Sequence, residues 1–163
     1  MKILIVSDTH GRDENLEDAC TREAPFDMLV HCGDVEGREF YIEALAECPC
    51  VIIAGNNDFF SDLNREEEVD ICGHRVLVTH GHSYGVSMDI SGVIEEAAAR
   101  GCGIVMFGHT HKPVVAERDG ILAINPGSLS YPRQQGRKPS YAVMECDESG
   151  RVQVQIRYLD GRF

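Results

Sequence analysis

Residue types that bind divalent metals follow five apolar segments of this 163-residue chain. Each segment is a short run rich in valine, isoleucine and leucine, closed by glycine and polar residues, as is typical of buried β-strands. The polar residues after the segments are Asp8 and His10, Asp34, Asn56 and Asp58, His80 and His82, and His109 and His111. In open α/β sheets, ligands bind outside the carboxyl ends of the strands. We therefore predict one site at one sheet edge, with the mixed oxygen and nitrogen donors of a two-metal hydrolase.

A spacing of two residues recurs in Asp8-Thr9-His10 and His109-Thr110-His111. Residues i and i+2 of an extended segment point to the same side, so each pair can direct two donor groups into one cavity. Helix capping or turn formation would explain one such pair. It is a poor explanation for five strand ends that hold five of the seven histidines. The other two are predicted to lie outside the site, His31 as a core residue and His74 in an exposed turn.

The elements that must position these residues alternate between strand and helix in the first half of the chain. Strands are predicted over residues 2–6, 27–31 and 51–54, and helices over 13–24 and 38–47. In the second helix, the residues expected on the buried face are Tyr41, Ala44, Leu45 and Cys48. This alternation favours βαβ units with parallel strands.

The second half is predicted to become all-β after one more helix, over residues 89–100. Hairpin turns are expected at Gly73-His74, at Asp119-Gly120 and at residues 147–150. Together the elements predict a single α/β domain over residues 1–163, which could form two stacked sheets with helices outside.

Composition and charge restrict the partners. The chain is 43% hydrophobic and 26% charged, as expected of a folded protein. Its net charge of −12 disfavours long DNA or RNA, whose phosphates need lysine and arginine. No apolar segment approaches the ~20 residues that span a bilayer, so we expect no membrane partner. The seven cysteines include no CxxC motif and are interpreted as reduced core residues of a cytoplasmic protein.

The same polar residues resemble the five motif blocks of the calcineurin-like metallophosphoesterases. In chain order the blocks are Asp8-x-His10, Gly33-Asp34, Gly55-Asn56-x-Asp58, His80-Gly81-His82 and Gly108-His109-x-His111. The similarity is greatest to the small single-domain phosphodiesterases of bacteria and archaea, and it extends to the turn Asn125-Pro126-Gly127-Ser128. It implies a four-layer α-β-β-α sandwich with two stacked mixed sheets.

The resemblance also implies a dinuclear metal centre. One metal would be held by Asp8, His10, Asp34 and His111. The other would be held by Asn56, His80 and His109, with Asp34 bridging the two. We expect Mn²⁺, with Ni²⁺, Zn²⁺, Fe²⁺ and Co²⁺ as alternatives that suit the same donors.

Three residues are candidates for a catalytic role, namely Asn56, Asp58 and His82. Asn56 would act as a metal ligand. Asp58 would orient a histidine or stabilise a turn, and His82 would donate to a phosphate oxygen or support the ligands. Asn57 departs from the family pattern, because many members have a general-acid histidine directly after the ligand asparagine. The identity of the general acid therefore stays open.

The implied function is a phosphodiesterase that hydrolyses small or nucleotide-derived diesters by attack of a metal-bridging hydroxide. The alternatives are a phosphomonoesterase and a non-catalytic scaffold of the retromer-subunit type. A scaffold should have substituted ligand positions, whereas all seven positions here carry competent ligands. Natural substrate and oligomeric state stay open. Arg133, Arg137 and Lys138 either reach substrate phosphates or belong to a solvated loop.

Overall fold

Two five-stranded sheets lie at the centre of the structure, a computed structural model that describes residues 1–160. The strands are β1 (Lys2–Val6), β2 (Met28–His31), β3 (Cys50–Ile52), β4 (Glu66–Ile71), β5 (His74–Thr79), β6 (Ile104–Met106), β7 (Pro113–Arg118), β8 (Ile121–Pro126), β9 (Ser140–Cys146) and β10 (Val152–Tyr158). The helices are α1 (Glu14–Glu23), α2 (Glu39–Ala46) and α3 (Ser91–Ala99), with a 3₁₀ turn at His82–Tyr84. The predicted elements agree with these bounds to within about two residues.

Each sheet contains three adjacent parallel strands. In the first sheet β9 runs antiparallel to the other four strands, and in the second sheet β4 and β7 run antiparallel to the other three. The first sheet has the order β10-β9-β1-β2-β3, and the second has the order β4-β5-β6-β8-β7. β1, β2 and β3 are parallel in the first sheet, and β5, β6 and β8 are parallel in the second. Parallel strands end at the same edge, so each sheet presents three carboxyl ends side by side.

The alternation of side chains along the strands creates four layers. Ile3, Ile5 and Val78 belong to the apolar cluster between the two sheets. Leu4 packs with α1 and α2 on the outer face of the first sheet, and Leu77 packs with α3 outside the second. Successive side chains of a strand point to opposite faces, and apolar side chains cover the sheets on each side. Both faces of each sheet are therefore buried. This confirms the predicted α-β-β-α sandwich of two mixed sheets.

Two local predictions are wrong in part. On α2, Ile42 and Ala46 are buried. The predicted Leu45 and Cys48 pack partly buried against the same apolar cluster, whereas the predicted Tyr41 and Ala44 are exposed. The Tyr41 hydroxyl instead donates to the Glu17 carboxylate on α1. The buried pair is spaced i, i+4, which defines a narrow helix face, and the predicted face was rotated away from it.

The first hairpin turn also lies one residue earlier than predicted. Its corner is formed by Cys72 and Gly73, with φ of +54° and +77°. Two successive left-handed residues form the type I′ turn that suits the twist of a hairpin. His74 therefore belongs to β5, where it is half-buried and its Nε2 lies 2.7 Å from the Gly150 carbonyl oxygen.

No helix in the described part of the chain has both the length and the apolar character needed to cross a membrane.

A buried carboxylate ties α1 to the first sheet. The side chain of Glu23 is 1% exposed and lies 2.9 Å from both Lys2 Nζ and Arg157 Nη1. The Tyr141 hydroxyl donates to it at 2.8 Å. Burial alone would raise the pKa of Glu23, but the hydrogen bonds from Lys2 and Tyr141 and the charge of Arg157 hold it below its usual value.

We expect Glu23→Gln to lower the free energy of unfolding at pH 7 by about 2 kcal/mol, because two cations lose their buried partner. The lowered pKa means that the carboxylate stabilises the fold above the ordinary value of about 4.3 and loses this effect as the pH falls toward the folded value. The difference in unfolding free energy between the unmodified protein and Glu23→Gln should therefore narrow between about pH 5 and pH 3. Urea unfolding across this range measures it, with exposed Glu43→Gln as control. A gap that stays constant with pH would contradict this assignment.

Candidate metal centre

Side chains from both sheets meet at the carboxyl ends of the parallel strands. The segments after β1, β2 and β3 of the first sheet carry Asp8 and His10, Asp34, and Asn56. The segments after β5 and β6 of the second sheet carry His80, His109 and His111. All seven residues predicted as metal ligands thus reach one region from the two sheets.

Left-handed backbone turns five of these residues toward the cavity. The φ angles are +54° at Asp8, +48° at His10, +59° at Asp34, +70° at His109 and +58° at His111. Non-glycine residues seldom adopt this region, and each one costs about 1 kcal/mol or more. The two pairs predicted from their i, i+2 spacing do share a cavity, but through tight turns. The extended backbone on which that prediction rested is wrong at both.

The first donor group consists of Asp8, His10 and His111. Asp8 Oδ1 lies 3.2 Å from His111 Nε2 and 3.8 Å from His10 Nε2. The two Nε2 atoms are 3.3 Å apart. Asp8 Oδ1 is buried, and no hydrogen-bond donor satisfies it within residues 1–160. A cation is the group that such an arrangement of acceptor atoms lacks.

The second donor group consists of Asn56, His80 and His109. Asn56 Oδ1 lies 2.9 Å from His80 Nε2 and 3.0 Å from His109 Nδ1. The rings of the two histidines are 5.2 Å apart. An amide oxygen thus meets two imidazole nitrogens at one point, with the donor types that divalent transition metals accept.

Asp34 lies between the two donor groups. Its Oδ2 is 3.6 Å from His10 Nε2 and 3.4 Å from His80 Nε2. The Asn57 backbone N–H donates to Asp34 Oδ1 at 2.9 Å, and the Asn57 side-chain amide donates to Oδ2 at 2.8 Å. One carboxylate oxygen therefore faces both groups, and Asn57 fixes its orientation.

The acidic and basic groups of the site shift one another's pKa values. Burial alone would raise the pKa of Asp34, but the close contact with His80 and the hydrogen bonds from Asn57 hold it well below its usual range. Burial would likewise raise the pKa of Asp8, and contacts with His111 and His80 lower it. Burial favours neutral His80, yet the neighbouring carboxylates raise its pKa. The site thus keeps its carboxylates ionised and attracts positive charge.

Acceptors behind three histidines fix which ring nitrogen faces the site. His80 Nδ1 donates to the Cys32 carbonyl at 2.7 Å, and His111 Nδ1 donates to the Tyr131 carbonyl at 2.7 Å. His10 Nδ1 donates to the Glu36 carboxylate at 2.8 Å. In a neutral imidazole this leaves Nε2 unprotonated, with a lone pair that can coordinate a metal. The close approach of such lone pairs in both donor groups fits bound cations.

Glu36 is a site residue that the sequence motifs did not reveal. It comes two residues after Asp34 and has φ of +54°, which turns it back toward His10. The available signal was weak, since an acidic residue near a strand end is common.

Within residues 1–160 the hydrogen bonds of the Asp58 carboxylate go to backbone N–H groups and not to a histidine. Its Oδ2 accepts hydrogen bonds from the backbone N–H groups of Gly55, Asp34 and Val35 at 2.7, 2.9 and 3.2 Å. Its Oδ1 accepts from Glu36 N at 2.7 Å. The second predicted role, stabilisation of a turn, agrees with these contacts. A Cβ at Gly55 would lie 2.2 Å from Asp34 Oδ1, so this close packing also requires glycine.

His82 borders the second donor group. Its ring lies 5.4 Å from that of His80 and 5.9 Å from that of His109. Its buried Nδ1 has no hydrogen-bond partner in the described chain. Burial and the neighbouring His80 lower the pKa of His82. The side chain is therefore placed to contact a ligand at the second donor group.

His31 is a satisfied core residue, as predicted. It is fully buried, and its Nε2 lies 2.9 Å from the Thr9 hydroxyl. The Gly33 N–H donates to its Nδ1 at 3.2 Å. Burial lowers the pKa of His31 to about 4.

Comparisons with known proteins agree on the family. Residues 1–149 match the family model described as a calcineurin-like phosphoesterase superfamily domain. The chain is 34% identical to the probable metallophosphoesterase YsnB of Bacillus subtilis, over 98% of this chain and 91% of YsnB. It is also 34% identical to phosphodiesterase MJ0936 of Methanocaldococcus jannaschii, over 78% of this chain and 83% of that protein.

Solved structures share the fold. A predicted phosphoesterase from Streptococcus pneumoniae superimposes with a TM-score of 0.82 at 28% identity, covering 96% of this chain and 88% of that one. Vps29 from Entamoeba histolytica gives a TM-score of 0.78 at 21% identity, covering 98% and 100%. At that identity the second likeness shows the fold alone.

We expect Asp58→Asn to lower the unfolding free energy of chelator-treated protein by about 2 kcal/mol, because one amide oxygen cannot replace two carboxylate oxygens that accept four backbone N–H groups. Thermal and urea unfolding in excess chelator measure the effect without a contribution from metal. Asp62→Asn, at an exposed position of the same loop, is the matched control. Equal stability of Asp58→Asn and the unmodified protein would show that this carboxylate does not hold the loop.

Proposed function

This chain belongs to the calcineurin-like phosphoesterase superfamily, and from that premise we propose that it is a dinuclear metal-dependent phosphodiesterase acting on small or nucleotide-derived diesters. The observation that carries the proposal is the position of Asp34 Oδ2, 3.6 Å from His10 Nε2 and 3.4 Å from His80 Nε2. A shared carboxylate of this kind suits two cations held close together. The likeness to a phosphodiesterase of M. jannaschii supports the substrate class.

The donor groups divide the proposed ligands between two ions. Asp8, His10 and His111 would hold one ion, and Asn56, His80 and His109 would hold the other. Asp34 would bridge them. Bound divalent ions supply Lewis-acid activation of water and of the phosphoryl oxygens. We propose Mn²⁺ as the ion, with Ni²⁺, Zn²⁺, Fe²⁺ and Co²⁺ suiting the same donors.

The remaining residues would orient and bind. Glu36 and the Tyr131 carbonyl keep the Nδ1 protons of His10 and His111 away from the site, so both rings present Nε2. Asn57 holds Asp34 in its shared position. His82 would contact a phosphoryl oxygen or the leaving group. Asn57 has no acidic proton to give, so the leaving oxygen would depart with little help from this position.

The space beside the donor groups favours a diester over a monoester. A cavity of about 670 Å³ is lined by His10 and His111, and a second cavity of about 260 Å³, which shares Glu36 with the first, is lined by Asn57, Phe59 and Phe60. A phosphodiester has two organic arms, and this space would accommodate both, whereas a monoester has only one. The scaffold alternative is not favoured, because all seven ligand positions keep metal-binding side chains.

The domain extent, cellular location and partners of the protein follow from the same proposal. We propose that residues 1–163 form one catalytic domain. The seven cysteines are all free, which supports a function in the reducing cytoplasm. The partners would be small phosphodiesters, since the net charge of −12 disfavours long nucleic acids.

We expect chelation to abolish hydrolysis of bis(p-nitrophenyl) phosphate, Mn²⁺ or a similar transition metal to restore it, and Mg²⁺ to restore it poorly. The five imidazoles near the site do not suit a hard cation such as Mg²⁺. Rates with p-nitrophenyl phosphate, measured in parallel, should be lower. Full activity in Mg²⁺ after removal of other metals would exclude the proposed donor set, and faster monoester hydrolysis would favour a phosphomonoesterase.

Asp34→Ala should lose both metals and nearly all activity, since neither ion would keep its shared ligand. Metal content per chain, measured by mass spectrometry on purified protein, should fall from about two toward zero. Circular dichroism checks that the variant is folded, and Asp62→Ala serves as the control for loss of an exposed carboxylate. Two metals per chain with normal turnover would show that Asp34 does not bridge.

A further inference from the structure

A cavity with arginines on one wall opens beside the first donor group. We call it the arginine cavity. Its volume is about 670 Å³, and His10 and His111 form the wall nearest the metal centre. Arg133, Arg137 and Tyr131 also line it. A ligand in this cavity would therefore be bordered both by proposed metal ligands and by two arginines.

The loop that carries these arginines is anchored to the metal centre. The Arg133 N–H donates to the His111 carbonyl at 3.0 Å, and His111 Nδ1 donates to the Tyr131 carbonyl at 2.7 Å. The Ser128 hydroxyl donates to the Asp8 carbonyl at 2.8 Å and accepts from Tyr131 N at 2.8 Å. The backbone around Arg133 is thus held in a fixed relation to Asp8 and His111.

The two arginines have no acidic partner in residues 1–160. Other arginines of the chain, such as Arg38, Arg100 and Arg157, form ion pairs with carboxylates. Neither Arg133 nor Arg137 has a carboxylate oxygen within 4 Å of its guanidinium in that part of the chain.

Arg12 lies behind Tyr131 and adds positive charge to the same region. Its guanidinium carbon is 4.9 Å from the centre of the Tyr131 ring. Among residues 1–160 the one carboxylate that lines the cavity is Glu36, and it accepts a hydrogen bond from His10. Unpaired guanidinium groups in a chain of net charge −12 mark a local attraction for anions.

From these contacts we infer a second anion site: the substrate is a phosphodiester that carries an additional phosphate group on one arm, and Arg133 and Arg137 bind that phosphate. The inference rests on the proposed phosphodiesterase function and deepens it. The scissile diester would lie at the donor groups, and the additional phosphate would lie in the arginine cavity. Arginine binds phosphate oxygens through paired N–H donors, which gives both attraction and orientation.

The test compares two substrates with the same leaving group. They are thymidine 5′-(p-nitrophenyl phosphate) and the same compound with a 3′-phosphate. The Mn²⁺-loaded protein should show a kcat/KM about 10-fold or more higher for the phosphorylated compound, against the repulsion expected from its net charge. The preference should decline as salt is added, because the two arginines are exposed.

In the double variant Arg133→Gln/Arg137→Gln, the ratio of the two kcat/KM values should fall to about one. Lys138→Gln is the matched control, since Lys138 belongs to the same loop, is exposed and pairs with Asp160. It should keep the ratio of the unmodified protein. A ratio near one in the unmodified protein, or one that survives in the double variant, would overturn the second anion site.

Calorimetry separates this inference from the proposed function. Thymidine 3′,5′-bisphosphate should bind the Mn²⁺-loaded protein about 10-fold more tightly than thymidine 5′-monophosphate, and the double variant should lose the difference. Tighter binding of the bisphosphate without hydrolysis of either substrate would support the anion site and overturn the phosphodiesterase. Hydrolysis of both substrates with equal binding of the two nucleotides would support the phosphodiesterase and overturn the second anion site.

Discussion

This structure depends on one constraint. It must hold ionised carboxylates and unprotonated imidazole nitrogens within a few ångströms of one another. Asp8 and Asp34 are almost completely buried, and their pKa values are lowered although burial opposes this. Such a concentration of acceptors is unfavourable in the absence of cations. The surrounding fold must therefore hold it in place, and it does so with buried hydrogen bonds to backbone groups.

Those hydrogen bonds explain residues that are otherwise unremarkable. Asp58 collects four N–H groups from two loops, Asn125 donates to the Gly108 carbonyl at 3.0 Å, and Ser128 donates to the Asp8 carbonyl at 2.8 Å. The bonds at Asp34, Gly108 and Asp8 fix loops whose backbone is left-handed at a proposed ligand. The hydrogen bonds around the ligand loops stabilise the strained left-handed backbone of those loops.

The sequence predicted the features that follow from periodicity and from strand ends. The strands, the four layers and the convergence of Asp8, Asp34 and His80 depend on apolar alternation and on parallel pairing, and both are visible in the residue pattern. The roles of Glu36 and Asn57 depend on how a loop folds back on itself, which residue types do not encode. The buried face of α2 was only partly predicted for a related reason, since rotating a short helix by one position exchanges Tyr41 for Ile42 at little cost in local propensity.

The origin of the donors in two sheets has a mechanical consequence. Asp8, Asp34 and Asn56 follow strands of one sheet, and His80, His109 and His111 follow strands of the other. The apolar attraction between the sheets is non-directional, whereas coordination bonds fix distance and angle. An ion held by donors of both sheets, as proposed above, would act as a cross-link at one end of the sandwich. It would join segments far apart in the chain, restrict shear between the sheets and remove conformational freedom that the apo protein would retain.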